Sequence, residues 1–177
     1  MFISQVDEDV ALALVQPSFA KSYFSIVKRE RDYLAEWLAW PPHADGEAFF
    51  SAFIESSLKG YAEGKSMTCA MLYKGEVVGN VSFNVISQSL KKVVIGYWLS
   101  KDFQGKGIAS RCVTTLTDIA FNQLKLTKIE IAVATGNTPS RRLCERLGFS
   151  LEGVITQAEN LNGRIVDHAI YGLTKPR

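Results

Sequence analysis

The sequence predicts an α+β fold, a mixed and mostly antiparallel sheet flanked by helices, and three features carry that prediction. The runs Met67–Tyr73, Val77–Ser87 and Val93–Ser100 are rich in strand formers and are joined by the turns Lys74-Gly75-Glu76 and Ser87–Lys92, as antiparallel neighbours are. A helical stretch then separates Val93–Ser100 from a strand at Ile129–Val133, and a crossover helix requires a parallel partner. Two helical regions precede the hairpins, and no internal repeat or linker interrupts the 177 residues, so residues 1–177 are expected to form one domain.

In order along the chain, Val10 to Gln16 reads as a strand, with Val10, Leu12 and Leu14 alternating with Ala11 and Ala13. Pro17-Ser18 opens a helical region to Trp40, with a break expected near Arg29 to Asp32, and Pro41-Pro42 ends it. Asp45 is placed to cap a helix running to about Glu63, whose Phe49, Phe50, Phe53, Ile54 and Leu58 form an apolar stripe. After the three strands, Gly107–Leu124 reads as a helix that buries Ala109, Val113, Leu116 and Ala120. Ile129, Ile131 and Val133 alternate along the next strand. A short helix begins near Ser140, and strands follow near Phe149–Thr156 and Arg164–Leu173.

Composition narrows the function. Twenty basic against eighteen acidic residues give a net charge of +2, too balanced for nucleic acid to be the main ligand. No apolar run approaches membrane-spanning length, and Met1–Glu8 lacks the basic and apolar segments of a secretion signal. Cys69, Cys112 and Cys144 are odd in number and lie in apolar settings, which points to a reducing cytoplasm. His43 and His168 are far apart without ligand spacing, so no metal is expected.

The segment Asp102-Phe103-Gln104-Gly105-Lys106-Gly107-Ile108-Ala109 is the most informative. A strand leads into it and a helix leads out, an arrangement that offers free N–H groups and a partial positive charge to an anion. It is not a P-loop, because Gly107 is followed by Ile108 rather than Lys-Ser/Thr. It is not the dinucleotide fingerprint either, because Ser110 stands where the third glycine belongs. What remains is Q-x-x-G-x-A, read as Gln104, Gly107 and Ala109, which resembles the pyrophosphate loop of the GNAT acetyltransferases. A second stretch, Asn137-Thr138-Pro139-Ser140 followed by Leu147-Gly148-Phe149 and Glu152-Gly153, resembles the other GNAT signature at the expected spacing. Leu34–Pro41, Gly79–Phe83, Ile95–Leu99 and Gln157–Gly163 further resemble the RimJ/RimL-like branch, which acetylates ribosomal-protein N-termini.

The resemblance implies a GNAT fold in which Ile95–Ser100 and Lys128–Thr135 splay into a V. The pantetheine arm of acetyl-CoA would lie between them, bonded near Trp98 and Leu99, and Gly96 would serve a bulge or a close backbone approach. The diphosphate would sit on Gln104, Gly105, Lys106, Gly107, Ile108 and Ala109. Asn137 and Ser140 would contact the arm, and Arg142 with Arg141 the phosphate or adenine end. Tyr33, Trp37 and Trp40 would line the acceptor side.

Acetyl transfer needs a neutral amine, an aligned thioester, an oxyanion donor and a hydrogen for the leaving thiolate. An α-amine with pKa of about 8 is mostly protonated at neutral pH, so a base helps. By resemblance that base is Glu159, on the loop between the last two strands. Glu130 is expected to face solvent, and Glu152 to have a structural role. Most GNAT enzymes carry a tyrosine four residues after the serine; here Cys144 stands there, and by resemblance to the RimL-like branch Ser140 takes the task. Ser140 as a helix cap or pantetheine contact, and Cys144 as its rival, stay open. The resemblance thus implies a cytoplasmic acetyl-CoA-dependent N-acetyltransferase, needing no metal, that acts on a ribosomal-protein N-terminus by direct attack in a ternary complex. A small-amine acceptor, a CoA-binding module without turnover, and assembly as a homodimer are left open.

Overall fold

The computed structural model describes residues 3–176; Met1 and Phe2, which begin the N-terminal stretch read above, and Arg177 lie outside the described residues. The elements are β1 (Ile3–Gln5), β2 (Val10–Leu14), α1 (Ala20–Ala35), α2 (Glu47–Ala62), β3 (Met67–Tyr73), β4 (Glu76–Ser87), β5 (Lys92–Leu99), α3 (Ile108–Asp118), β6 (Lys128–Ala134), α4 (Thr138–Arg146), β7 (Ser150–Leu161) and β8 (Arg164–Thr174). Among the described residues the strands form one sheet, ordered β1-β2-β3-β4-β5-β6-β8-β7. Among these described strands only β5 and β6 pair in parallel. The α+β class expected from the sequence is the observed one.

Strand alternation divides the core in two. Val10, Leu12, Val93, Ile95, Ile129, Ile131, Ala169 and Tyr171 pack with Ile108, Val113 and Leu116 of α3 on one face. Ala11, Ala13, Ala70 and Leu72 face Tyr23, Val27, Phe50 and Ile54 of α1 and α2 on the other. Each fully buried large apolar side chain contributes roughly 1.5–3 kcal/mol.

Several expected boundaries move for identifiable reasons. β1 has only three exposed residues, too few for a period to be read. α1 stops at Ala35 instead of reaching Trp40, and its expected break falls at Glu30, whose φ of −121° leaves the helical range. Asp45 does not cap α2: Gly46 holds the N-cap position, and Asp45 turns to solvent 3.6 Å from Arg31. Arg31 also donates to the carbonyls of Pro41, Pro42 and Ala44, at 2.7, 3.2 and 3.0 Å, and so fixes the turn between the helices. The helix expected over Gly107–Leu124 is α-helical only to Asp118 and widens into a π turn at Ile119–Gln123. β7 runs five residues past Thr156, so Glu159 lies within a strand and not on the loop assigned to it.

One feature of the sheet positions the site. β5 and β6 pair only at Lys92↔Lys128, Val93↔Ile129 and Val94↔Glu130. Beyond that point each keeps its other neighbour, β5 through Leu99↔Gly79 and β6 through Ala134↔His168, and a V opens between them. Asn84 is the extra residue of a bulge in β4, and its side chain lies over Gly96. A Cβ on Gly96 would come within 2.4 Å of the Asn84 amide nitrogen, so glycine serves a close approach there.

Candidate active site

The loop at the open end of β5 is built to leave donors free. Gly105 and Gly107 have φ of 73° and 69°, left-handed conformations that glycine adopts without strain. Neither would meet any atom on gaining a Cβ, so the requirement is conformational. Among the described residues, no acceptor receives the N–H groups of Gly105, Lys106, Gly107, Ile108 or Ala109. These donors stand at the N-terminus of α3, where the helix dipole favours negative charge. Arg111 clamps the loop, donating to Lys106 O at 3.0 Å and to Gly107 O at 3.3 Å, and pairs with Asp7 at 2.5 Å. Arg142 is exposed one turn into α4, whereas Arg146 reaches Ser110 at 3.3 Å. Arg146 is therefore a second cation near the loop that the motifs did not single out.

The far arm of the V carries Ser140. Asn137 caps α4, accepting from the Ser140 N–H at 3.3 Å, so the Ser140 hydroxyl is not spent on capping. That hydroxyl lies 2.5 Å from the hydroxyl of Tyr97, on the other arm. Tyr97 shares a face with Ile95 and Leu99, toward α3 and α4. Burial raises its pKa, so it stays a neutral donor. Burial also pushes the Cys144 thiol up to about 12, and its side chain is fully enclosed. Tyr97 lies inside the Ile95–Leu99 motif, and strand alternation sets it on the same face as Ile95 and Leu99. Trp98 points the other way and packs against Tyr23 and Trp40, with centroids 5.6 and 5.8 Å apart. The edge of Trp98 and Leu99 that faces β6 has no strand partner, which is where an extended ligand could bond.

On the opposite face lie the acceptor candidates. Trp37 lies against Gly136, just past the end of β6, beneath the Arg164 guanidinium at 5.0 Å. Trp40 is stacked on Phe49 and lines an open cleft of about 470 Å³ with Ala39, His43, Asn160, Asn162 and Gly163. The hairpin between β7 and β8 closes on the segment after α1, through Arg164 to Glu36 O and Asn162 to Leu38 O. Tyr33 stands apart from this group: its hydroxyl accepts from Gln104, so it touches the glycine loop. Glu159 pairs in register with Val166, and its Oε2 lies 2.9 Å from Nε2 of His168. Glu130 is not the solvent-facing residue expected: it is mostly covered and paired with Lys92 at 2.9 Å and Lys128 at 3.3 Å. Burial opposes its charge, but the two lysines outweigh it and hold its pKa below the usual range. Glu152 pairs with Lys128 at 2.7 Å and covers Gly172.

One residue missed by the motifs ties the two sides together. Glu30, only 8% exposed at the kink of α1, accepts from Ser100 Oγ and the Lys101 N–H, both at 2.8 Å, and from Arg29 at 2.7 Å. Burial works against this carboxylate, yet those three donors hold its pKa below the usual glutamate range. Nothing in a helical pattern announces a buried acid, since Ser100 and Lys101 lie 70 and 71 residues away. Among the described residues no His/Cys/Asp/Glu group could hold a metal, and no helix is long and apolar enough to cross a membrane.

Comparison with known proteins agrees with this geometry. The family model described as an acetyltransferase (GNAT) domain matches residues 10–150. A putative ribosomal N-acetyltransferase of Bacillus subtilis, YdaF, is 30% identical over 176 residues, covering 99% of this chain and 96% of its own. The crystal structure of RimL, the ribosomal L7/L12 alpha-N-protein acetyltransferase in complex with coenzyme A, superposes with a TM-score of 0.94 at 26% identity, covering 98% of both chains. The microcin C7 self-immunity acetyltransferase MccE, in complex with acetyl-CoA and AMP, does so at 0.91 and 29%, covering 96% of this chain and 94% of its own. By its splayed sheet, its glycine loop and these matches, the chain belongs to the GNAT acetyltransferase family.

Proposed function

We propose that this protein is a cytoplasmic enzyme that transfers the acetyl group of acetyl-CoA to the N-terminal α-amine of a ribosomal protein. One observation carries the reading: the proton-handling candidates lie on opposite faces of the sheet, and the V between β5 and β6 is the opening that joins them. The diphosphate rests on the N–H groups of Gly105 to Ala109, and the pantetheine arm bonds to the unpaired edge near Trp98 and Leu99. The thioester then lies in the V, with Ser140 and Tyr97 on its α4 side and Glu159 on its acceptor side. Direct attack in a ternary complex suits this layout, because base and hydrogen donor can act at once from the two sides.

In the proposed reaction Glu159 takes a proton from the acceptor amine, and the freed lone pair attacks the thioester carbonyl. A backbone N–H near Leu99 receives the oxyanion. As the carbon–sulfur bond breaks, the attacking nitrogen loses its second proton to solvent and the Ser140 hydroxyl donates a hydrogen bond to the departing thiolate, while Tyr97, itself neutral, donates to Ser140. The ribosomal acceptor is supported by the likeness to YdaF and RimL over nearly the whole chain. The twelve-residue edge strand β7, with Leu151, Val154 and Ile155 exposed, is proposed as the contact of a homodimer.

The short cleft beside Trp40, lined by the amides of Asn160 and Asn162, favours a second reading in which the acceptor is a small amine. Free CoA release, measured with acetyl-CoA and a panel of Ser-initiated peptides, spermidine and amino acids, separates the readings. The proposal expects turnover on peptides, and turnover on small amines alone would replace it. No release with any acceptor would leave a CoA-binding module.

A further inference from the structure

Two extra residues in β7 carry an inference about the base. Ile155 pairs with His168, and regular antiparallel pairing from there would set Gln157 opposite Val166 and Glu159 opposite Arg164, near the hairpin end. The strand instead bulges between Ile155 and Glu159. Gln157 takes φ of 51°, and its N–H is held by the Asp167 carboxylate at 2.8 Å. The bulge draws Glu159 back by two places, onto Val166 and within 2.9 Å of the His168 imidazole. A left-handed glutamine and an aspartate committed to its N–H form a specific device, and its effect is to bring these two side chains together.

The pair sits where a proton must be handled. His168 alternates with Ala169 and Tyr171 of the α3 core, so it faces the acceptor side, and it pairs with Ala134 at the end of β6. Its side chain is 21% exposed and that of Glu159 is 34% exposed, sheltered but reachable. Its neighbours on β6 are Ala134 and Ala132, Arg164 of the hairpin is engaged with Trp37 and Glu36, and His43 lines the cleft with Trp40, Asn160 and Asn162. Asp167 is occupied by Gln157.

We propose that Glu159 and His168 act as one base, with His168 holding the proton that Glu159 removes; this rests on the reading of Glu159 as the base. The acceptor N–H bond breaks and the hydrogen joins Glu159 Oε2. At rest the Nε2–H of His168 donates to Glu159 Oε2; exchange with solvent moves that hydrogen to Nδ1, and the freed Nε2 then takes the hydrogen as the Oε2–H bond breaks. The end state is an imidazolium beside a carboxylate, and the amine lone pair is free to attack. The imidazole has a chemical purpose. A carboxylic acid is roughly four pH units more acidic than an α-ammonium, whereas an imidazolium is only about one and a half, so the proton has a better resting place. His168 is here a positioning and proton-holding residue, not one that touches substrate.

The test compares His168→Gln and Glu159→Gln with wild type, using a synthetic peptide with a free N-terminal serine and reading kcat/KM against pH. His168→Gln keeps a polar side chain but cannot hold the proton. It should lose about ten- to a hundredfold near pH 7 and recover toward wild type above about pH 9, where the amine is already neutral, with KM for acetyl-CoA unchanged. A wild-type profile for His168→Gln beside an impaired Glu159→Gln would overturn the shared base and leave Glu159 acting alone. Wild-type profiles for both variants would remove Glu159 itself from the mechanism. A pH-independent loss would reduce His168 to a structural role. Independently of any acceptor, the ring-nitrogen NMR signals of His168 in the CoA-bound protein should shift on Glu159→Gln, and unchanged signals would overturn the pair.

Discussion

The proposed cofactor side, at the loop after β5, and the proposed acceptor side, at β7 and β8, are built by different means. At the loop after β5 the proposed recognition elements are backbone N–H groups, held by two left-handed glycines, an α-helix N-terminus and the Arg111 clamp. At β7 and β8 they are side chains on an exposed edge, aimed by a bulge and a hairpin that leans on the segment after α1. A diphosphate is the same whatever the acceptor, so a fixed backbone cradle suits it. An acceptor differs between enzymes, and side chains on an outer strand can change without disturbing the core. Glu30 joins the two, since it lies on the acceptor-side helix and bonds to the start of the cofactor loop.

The sharpest way to break this contrast lies in the V itself, where the two sides meet. Ser140→Ala should lower kcat by roughly ten- to a thousandfold with the fold intact, as judged by circular dichroism and steady-state kinetics. A larger loss from Cys144→Ala would exchange the roles, although a thiol pushed up to about 12 and fully enclosed argues against that. The next effect isolates the cofactor side. Gly107→Asp sets a carboxylate beside the diphosphate and should weaken acetyl-CoA by about 2 kcal/mol, roughly thirtyfold, in calorimetry. Unchanged affinity in a folded variant would end the phosphate-loop assignment.

The left-handed glycine at Gly107 and the cap at Asn137 are legible in the sequence, and the longer-range features are not. Gln104, Gly107 and Ala109 fall within six residues, and local backbone geometry is what a local pattern encodes. Asn137 capping α4 is equally local. Tyr97 and Ser140 are 43 residues apart in sequence, and Glu30 and Ser100 are 70. Such partnerships exist only once the sheet has formed. The loop position expected for Glu159 fails because a bulge keeps β7 paired through Leu161, and the Asp167 carboxylate that holds it lies in the facing strand. Asp45 looked like a cap by residue type, yet Gly46 took the position and Asp45 turned toward Arg31.

The acceptor side has its own, smaller test. Trp37→Leu should raise the acceptor KM about three- to tenfold and leave acetyl-CoA affinity unchanged, and a change in both would show that the two sides are not separable there. Glu30→Gln probes their coupling. A pKa lowered in the folded state means that its stabilisation is complete above the ordinary glutamate value, about 4.3, and is lost as pH falls through the lower folded value. Wild type should therefore lose more melting temperature between about pH 5 and 3 than Glu30→Gln, which starts less stable at pH 7. Parallel melting curves would mean that the carboxylate contributes nothing through its charge.

The most direct test of the central claim is intact-mass spectrometry of ribosomal proteins from cells with and without this gene, repeated on purified ribosomal proteins incubated with the enzyme and acetyl-CoA. A ribosomal protein should gain a single acetyl group, located by fragmentation to its N-terminal α-amine, only when the enzyme is present. Identical masses in both strains and in vitro, with acetyl transfer seen only to spermidine or an amino acid, would contradict it.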